Sequence, residues 1–210
     1  MSGQVIAGNV YDKYNSRNPI VRKLMGGFYG SMLDLLEGLD YHQVLDTGCG
    51  EGYLTKRFFN PVSRLTLSSI KVTAIDISPD IIEVAKESDE AINFLCASVY
   101  ELPFEDDFFD MVVANEVLEH VDKPELALAE LDRVCRKYFL VSVPREPVWR
   151  MMNLGRFRYL TALGNTPGHV NHWSVNRFLK LLANHFNVVR IKTPLPWTIA
   201  LCRKRSLPSL

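Results

Sequence analysis

Between residues 43 and 144 the chain alternates two hydrophobic rhythms. Short apolar blocks read as buried strands: Gln43 to Thr47, Lys71 to Ile77, Ile92 to Ala97, Phe109 to Ala114 and Tyr138 to Val143. The stretches between them carry helix signals. The Gly-rich residues 48–52 lead into a helix through Phe59. Ser78-Pro79 combines a capping hydroxyl with a proline suited to the first helical turn, and Ile81, Ile82 and Ala85 supply an apolar face. A third helix follows Pro124, with Glu125 at its start and Arg136-Lys137 expected at its end, as the helix dipole favours. Strands that are apolar throughout, alternating with helices, predict a doubly wound α/β fold with a parallel sheet covered on both faces.

The flanks behave differently. From Ile20 to Leu39, the positions of Leu24, Phe28, Met32, Leu35 and Leu36 follow helical spacing, and Gly26-Gly27 is expected to weaken or break that helix. Residues 145–167 mix Arg, aromatics and Met without a clear period. Ser174 can cap a helix bearing Phe178, Leu181, Leu182 and His185. Val188 to Lys192 and Thr198 to Cys202 are strand candidates, and the short Pro194-Leu-Pro196 link predicts an antiparallel hairpin. The 210 residues suit one domain, in which 1–42 form an N-terminal helical cap and 145–173 an acceptor-binding insertion.

Composition narrows the function classes. Lys+Arg and Asp+Glu each number 24, so the net charge is zero and a polyanion such as nucleic acid is not the expected partner. Cys49, Cys96, Cys135 and Cys202 are scattered, which suits neither a zinc-binding CxxC pair nor a disulfide framework. The polar start of the chain does not resemble a signal peptide, and no apolar run approaches the roughly 18 residues of a membrane span. A cytoplasmic location is the expectation.

The chemistry concentrates in Val44-Leu-Asp46-Thr-Gly48-Cys-Gly50-Glu-Gly52. A buried strand ends there, glycines allow close backbone approach, and a helix begins with free N–H groups. Ligands of open parallel sheets bind outside the carboxyl ends of the strands. The spacing is G-x-G-x-G rather than the dinucleotide fingerprint G-x-G-x-x-G. Asp46, two residues before the first glycine, would repel a pyrophosphate and suits a ligand bearing an ammonium group. Both points argue against a nicotinamide dehydrogenase.

The stretch D-T-G-C-G-E-G resembles the first motif of the class I S-adenosylmethionine (SAM)-dependent methyltransferases, in particular their small-molecule, type 11-like branch. Later stretches recur in register. Asp76, in Ala-Ile-Asp-Ile-Ser, resembles the family's acidic residue for the ribose hydroxyls, where two acceptor oxygens match a vicinal diol. Phe94 to Phe104 is similar to the family's adenine-binding stretch, but Ala97-Ser98 stands where the family has Gly-Asp. Phe109-Asp110 through Asn115-Glu116-Val-Leu-Glu119-His120-Val resembles the fourth-strand motif, with Asp110 structural and away from the ligand. The resemblance implies a seven-stranded, mostly parallel Rossmann-like sheet with an antiparallel last strand. It also implies cofactor contacts from Tyr11, Asp46, Thr47, Gly48, Cys49, Gly50, Asp76, Ile77, Ser98, Val99, Asn115 and Glu116.

Methyl transfer from a sulfonium depends on positioning, with a general base where the acceptor is protonated. His120 is the candidate for that role, ahead of His172 and His169; His42 and His185 read as solvated or helix-end residues. No three-ligand metal spacing is evident, so no metal is expected. The Arg- and Met-rich 145–159 stretch suits an acceptor lid or peripheral membrane contact. The acceptor is expected to be a small molecule, with lipid, quinone-like and sugar-derived compounds all open. The alternatives are a non-catalytic partner subunit of the same fold and a tRNA or protein methyltransferase.

Overall fold

A computed structural model describes residues 14–59, 70–87 and 89–205. The elements run α1 (Pro19–Leu36), β1 (Gln43–Thr47), α2 (Tyr53–Phe59), β2 (Lys71–Asp76), α3 (Pro79–Lys86), β3 (Asn93–Cys96), β4 (Phe109–Asn115), α4 (Pro124–Val134), β5 (Cys135–Pro144), α5 (Val148–Gly155), a 3-10 turn (Leu160–Ala162), α6 (Val175–Leu182), β6 (Phe186–Lys192) and β7 (Trp197–Lys204). The strands form one seven-stranded sheet in the order β3-β2-β1-β4-β5-β7-β6. β1 pairs in parallel with β2 and with β4, as do β2 with β3 and β4 with β5. β7 is inserted antiparallel between β5 and β6, so the predicted hairpin forms and only β7 runs against the rest.

Strand side chains alternate between two cores. Val44, Val72, Met111, Val113, Leu140 and Leu201 pack with α1, α2 and α3. Leu45, Ile75, Val112, Ala114, Phe139 and Val141 pack with α4 and α6. Every residue of β4 is buried, which is why its centre, Met111 to Ala114, reads as a continuous apolar run rather than an alternating one.

Two local expectations are corrected. α1 does not break at Gly26-Gly27: it runs unbroken, and its Met25, Phe28, Met32, Leu35 and Leu36 are buried. Phe28 sits edge-on to Trp197, with ring centroids 5.1 Å apart. That packing outweighs a propensity cost of about 1 kcal/mol per glycine. Arg136 and Lys137 do not end α4, which stops at Val134 with Arg133 in its last turn. They open β5 instead and turn to Asp110, which Arg136 meets at 2.6 Å and Lys137 at 3.4 Å.

Asp110 is 1% exposed and braces the amino-terminal edge of the sheet. It accepts hydrogen bonds from the backbone N–H groups of His42 and Gln43, at 2.9 and 3.1 Å, and from the Arg136 guanidinium. Burial alone would raise its pKa, but Arg136 and the two N–H donors win and hold it down at about 2. Its role is structural, at the end of β4 opposite Asn115.

A carboxyl held below its unfolded pKa contributes stability above that value, and the contribution is lost as pH falls through the folded pKa. Asp110→Asn should therefore lower unfolding stability at pH 7 by about 1.5–3 kcal/mol, the range for hydrogen bonds to a charged group. The gap between variant and wild type should narrow as pH falls below about 4. Urea melts at pH 7 and pH 3 measure both effects.

Candidate active site

The carboxyl ends of β1, β2, β4 and β5 meet along one edge of the sheet, where the loops of interest leave it. The loop after β1 is built by backbone freedom and close packing. Gly48, Gly50 and Gly52 have φ of +63°, +55° and +76°. These left-handed conformations favour glycine. At Gly48 a Cβ would stand 2.6 Å from a Val117 methyl, so the loop after β4 closes directly over the loop after β1. Cys49 N–H donates to the Ile75 carbonyl at 2.9 Å. The Cys49 thiol is driven upward in pKa by burial and by the Asp46 and Asp76 carboxylates, so it stays protonated.

Asp46 lies beneath this loop, 2% exposed. Thr55 Oγ1, from the first turns of α2, donates to it at 2.6 Å. Burial raises its pKa to about 7, with the Thr55 bond pulling down and the Asp76 charge adding to the rise. Among the described residues, no cationic side chain contributes to that balance. Thr47, by contrast, uses its hydroxyl to bond the Val113 carbonyl at 2.9 Å, tying β1 to β4, and its side chain is fully buried.

Asp76 ends β2 and reaches across the loop. One carboxylate oxygen accepts from Gly50 N–H and the other from Ser78 N–H, both at 3.0 Å. It thus shapes the glycine turn and the start of α3 together. Each oxygen keeps a lone pair for an incoming hydroxyl. The neighbouring Ile77 is 54% exposed. Ser98 Oγ accepts from Tyr100 N–H at 3.2 Å, closing its own turn, and Val99 packs against the α4 side of the core.

At the end of β4, Asn115 is buried. Its Oδ1 accepts from Ser142 Oγ at 3.1 Å, while its Nδ2 is a buried donor without a hydrogen-bond partner. Glu116 adopts φ of +55°, an uncommon conformation for a residue other than glycine. Its Oε1 accepts from the Trp197 indole N–H at 2.8 Å. Tyr11 lies outside the described residues, but the adjoining Tyr14 stacks on Tyr53 at the start of α2, with centroids 5.2 Å apart.

His120 follows on the same loop and is exposed. Its Nδ1 stands 3.0 Å from the Gly168 carbonyl. A carbonyl only accepts, so Nδ1 carries the proton and Nε2 the lone pair. His172 is bound through Nε2 to Asn165 Oδ1 at 2.8 Å and so braces the insertion, and His185 meets Glu125 at 3.1 Å on the far side of α4.

Several residues that periodicity did not single out join the site. Trp197 and Trp149 meet edge to face at 6.0 Å, and Trp149 stacks on His169 at 5.9 Å. At the end of β5, Arg145 Nε, Glu146 Oε1 and Trp173 Nε1 are buried without hydrogen-bond partners. Burial also raises the Glu146 carboxyl above its ordinary range. The arginines of the insertion are largely consumed internally. Arg150 Nε donates to the Leu163 carbonyl and Arg156 to Asn153, while buried Asn153 holds the Gly164 carbonyl. The insertion also exposes large apolar side chains, Met151, Phe157 and Leu163, at 65%, 82% and 68% exposure.

A buried acid whose folded pKa lies above its unfolded value loses its stabilising contribution as pH rises through the folded pKa. Asp46 should therefore cost the fold progressively more stability from about pH 4 to about pH 7. Asp46→Asn removes that penalty. It should melt at or above the wild-type temperature at pH 8 yet lose affinity for a cationic ligand; thermal melts at pH 5 and 8 check the first half.

Comparison with known proteins agrees with this geometry. Residues 45–139 match the family described as "Methyltransferase domain". The chain is 30% identical over 159 residues to a ubiquinone biosynthesis O-methyltransferase of Xanthomonas oryzae pv. oryzae, covering 66% of this chain and 63% of that protein. It is 33% identical over 90 residues to a malonyl-[acyl-carrier protein] O-methyltransferase of Anoxybacillus flavithermus, covering 42% of this chain and 32% of that one. The chain thus spans between a third and two thirds of the length of these curated relatives. Among solved structures, magnesium protoporphyrin IX methyltransferase from Synechocystis PCC 6803 with bound SAH superposes with a TM-score of 0.65 at 18% identity, covering 90% of this chain and 89% of that one. The matched segment carries the glycine loop, Asp46, Asp76 and Asn115, so residues 45–139 are similar to this methyltransferase-domain family, and the seven-stranded fold around them is similar to that of the solved methyltransferase.

Proposed function

We propose that this protein transfers a methyl group from SAM to a small acceptor with an apolar body. The observation that carries the reading is Asp46, a buried carboxylate with no cationic side chain acting on it among the described residues, with Asn115 at the carboxyl end of the neighbouring strand, whose Nδ2 is a buried donor with no partner among them. An amino-acid moiety with an ammonium and a carboxylate complements that pair. Bound SAM supplies a methyl group already activated on a sulfonium, so the work of the protein is to hold donor and acceptor in line.

In this reading Asp46 receives the ammonium, directly or through water, and Asn115 Nδ2 donates to the carboxylate. The backbone of Gly48, Cys49 and Gly50 borders the cofactor. Asp76 keeps the turn in shape and accepts from the ribose hydroxyls with its remaining lone pairs. Ile77 offers an exposed apolar face to the adenine, with Ser98 and Val99 at its edge. Glu116, fixed by Trp197, lines the methionine end, and Tyr11 belongs to the segment leading to the Tyr14–Tyr53 stack. His120 faces the acceptor with its Nε2 lone pair. Residues 145–173 form the acceptor side, where the tryptophans and the exposed Met151, Phe157 and Leu163 suit an apolar molecule or a membrane that holds one.

The names of the relatives include a ubiquinone biosynthesis O-methyltransferase and a malonyl-[acyl-carrier protein] O-methyltransferase, two different acceptors, so they support methyl transfer without selecting an acceptor. No helix among the described residues is long and apolar enough to cross a membrane, so such contact would be peripheral.

Calorimetric titration tests the cofactor. Wild type should bind SAM and its demethylated product, and Asp76→Ala should bind at least tenfold more weakly, a loss of about 1.4 kcal/mol. Absence of binding by folded wild type would overturn the reading. For the insertion, the triple variant Met151→Ser, Phe157→Ser, Leu163→Ser should keep SAM affinity but co-sediment less with phosphatidylglycerol-containing vesicles; unchanged sedimentation would confine these residues to the soluble acceptor.

A further inference from the structure

We infer that Glu119, His120 and His169 form a site for one divalent first-row transition-metal ion at the mouth of the active site. A ligand atom from each of the three side chains lies within 4.8 Å of those of the other two. Glu119 and His169 are buried and His120 is exposed, so the cluster sits at the boundary between core and solvent. Bonds of about 2.0–2.2 Å in a tetrahedral site place ligands about 3.4 Å apart, so an ion needs to draw these atoms together by up to about 1.4 Å. The exposed His120 ring can supply that movement.

The surroundings are built as a metal site requires. Metal-bound imidazoles present one nitrogen to the ion and give the other N–H to a fixed acceptor. His120 has such an acceptor: its Nδ1–H meets the Gly168 carbonyl at 3.0 Å, which assigns the ion to the Nε2 side of the ring. The two loops that carry the ligands are locked together by the backbone. Val170 and Asn171 N–H donate to the Glu119 carbonyl at 2.8 and 3.1 Å. Asn171 Nδ2 adds bonds to the carbonyls of Leu118 and Val121 at 3.0 and 2.6 Å. The His169 ring is held between Trp149 and His120, whose centroid is 4.9 Å away. The ligand loops are therefore fixed whether or not an ion is present.

Two imidazoles and one carboxylate select zinc, cobalt, manganese or iron(II) over magnesium or calcium. Three protein ligands leave a coordination position open to water or to an acceptor oxygen. An ion there would lower the pKa of a bound hydroxyl and so prepare an oxygen nucleophile, which gives His120 a metal rather than a proton to hold. Metal binding stands on these three side chains alone and does not depend on the methyl-transfer reading.

The test uses the whole chain, stripped with chelator and titrated with Co2+, followed by visible absorption and calorimetry, with Zn2+ as competitor. One equivalent should bind, with ligand-field bands of a four- or five-coordinate nitrogen and oxygen site that Zn2+ abolishes. His120→Ala and His169→Ala should each weaken binding at least tenfold, whereas His185→Ala should not. His120 is exposed, so its variant should fold, and its thermal melt should show as much. SAM titration of the same proteins reports separately on the cofactor reading. Absence of saturable binding, or binding that His120→Ala and His169→Ala leave unchanged, would overturn the site.

Discussion

Everything at the active edge depends on the pairing of β1 with β4 at the centre of the sheet. Both strands are covered on two faces, so neither can shift register without moving apolar side chains into the wrong layer. Asp110 locks one end of this pair by binding the backbone just before and at the start of β1. Thr47 locks the other end through the Val113 carbonyl. With the two strands fixed, the loops that leave them must meet. The 2.6 Å approach of the Val117 side chain to the missing Cβ of Gly48 is the consequence.

The same close packing creates the electrostatic demand of the site. Two carboxylates, Asp46 and Asp76, are brought to one turn, and among the described residues no basic side chain offsets the charge on Asp46. A protein selected for stability alone would neutralise such a pair. Here Asp76 is satisfied by backbone N–H groups, and Asp46 keeps only a hydroxyl. The fold carries the cost of an uncompensated buried acid, which a cationic ligand would relieve. Asn115 states the complementary need as a buried donor that nothing accepts from.

Beyond the end of β5, tryptophans from opposite ends of the last third of the chain converge with histidines from two loops. Trp197 orients Glu116 through its indole N–H, and Trp149 carries His169. The arginines of the insertion serve it internally, closing Leu163 and Asn153 into a compact unit. Met151, Phe157 and Leu163 stand exposed among its outward side chains. Arg150 satisfies the Leu163 carbonyl at the end of the 3-10 turn, and Arg156 the Asn153 side chain, so both guanidinium groups are engaged within the segment.

The sequence by itself determined the α/β alternation, the parallel core strands and the glycine turn, because these depend on local period and on residues with unusual backbone freedom. The caps at Ser78 and Ser174 and the hairpin of β6 and β7 were legible for the same reason. Tertiary structure alone decided the rest. α1 continues through two glycines because Trp197, far along the chain, packs against it. Arg136 and Lys137 open β5 because a buried carboxylate on the neighbouring strand attracts them more strongly than a helix end does. His169 reaches Glu119 and His120 only because the loop after the insertion folds back onto the loop after β4. Spacing along a chain reports what one element can do, whereas a site assembled from several elements depends on contacts whose loop-closure cost only the finished core can offset.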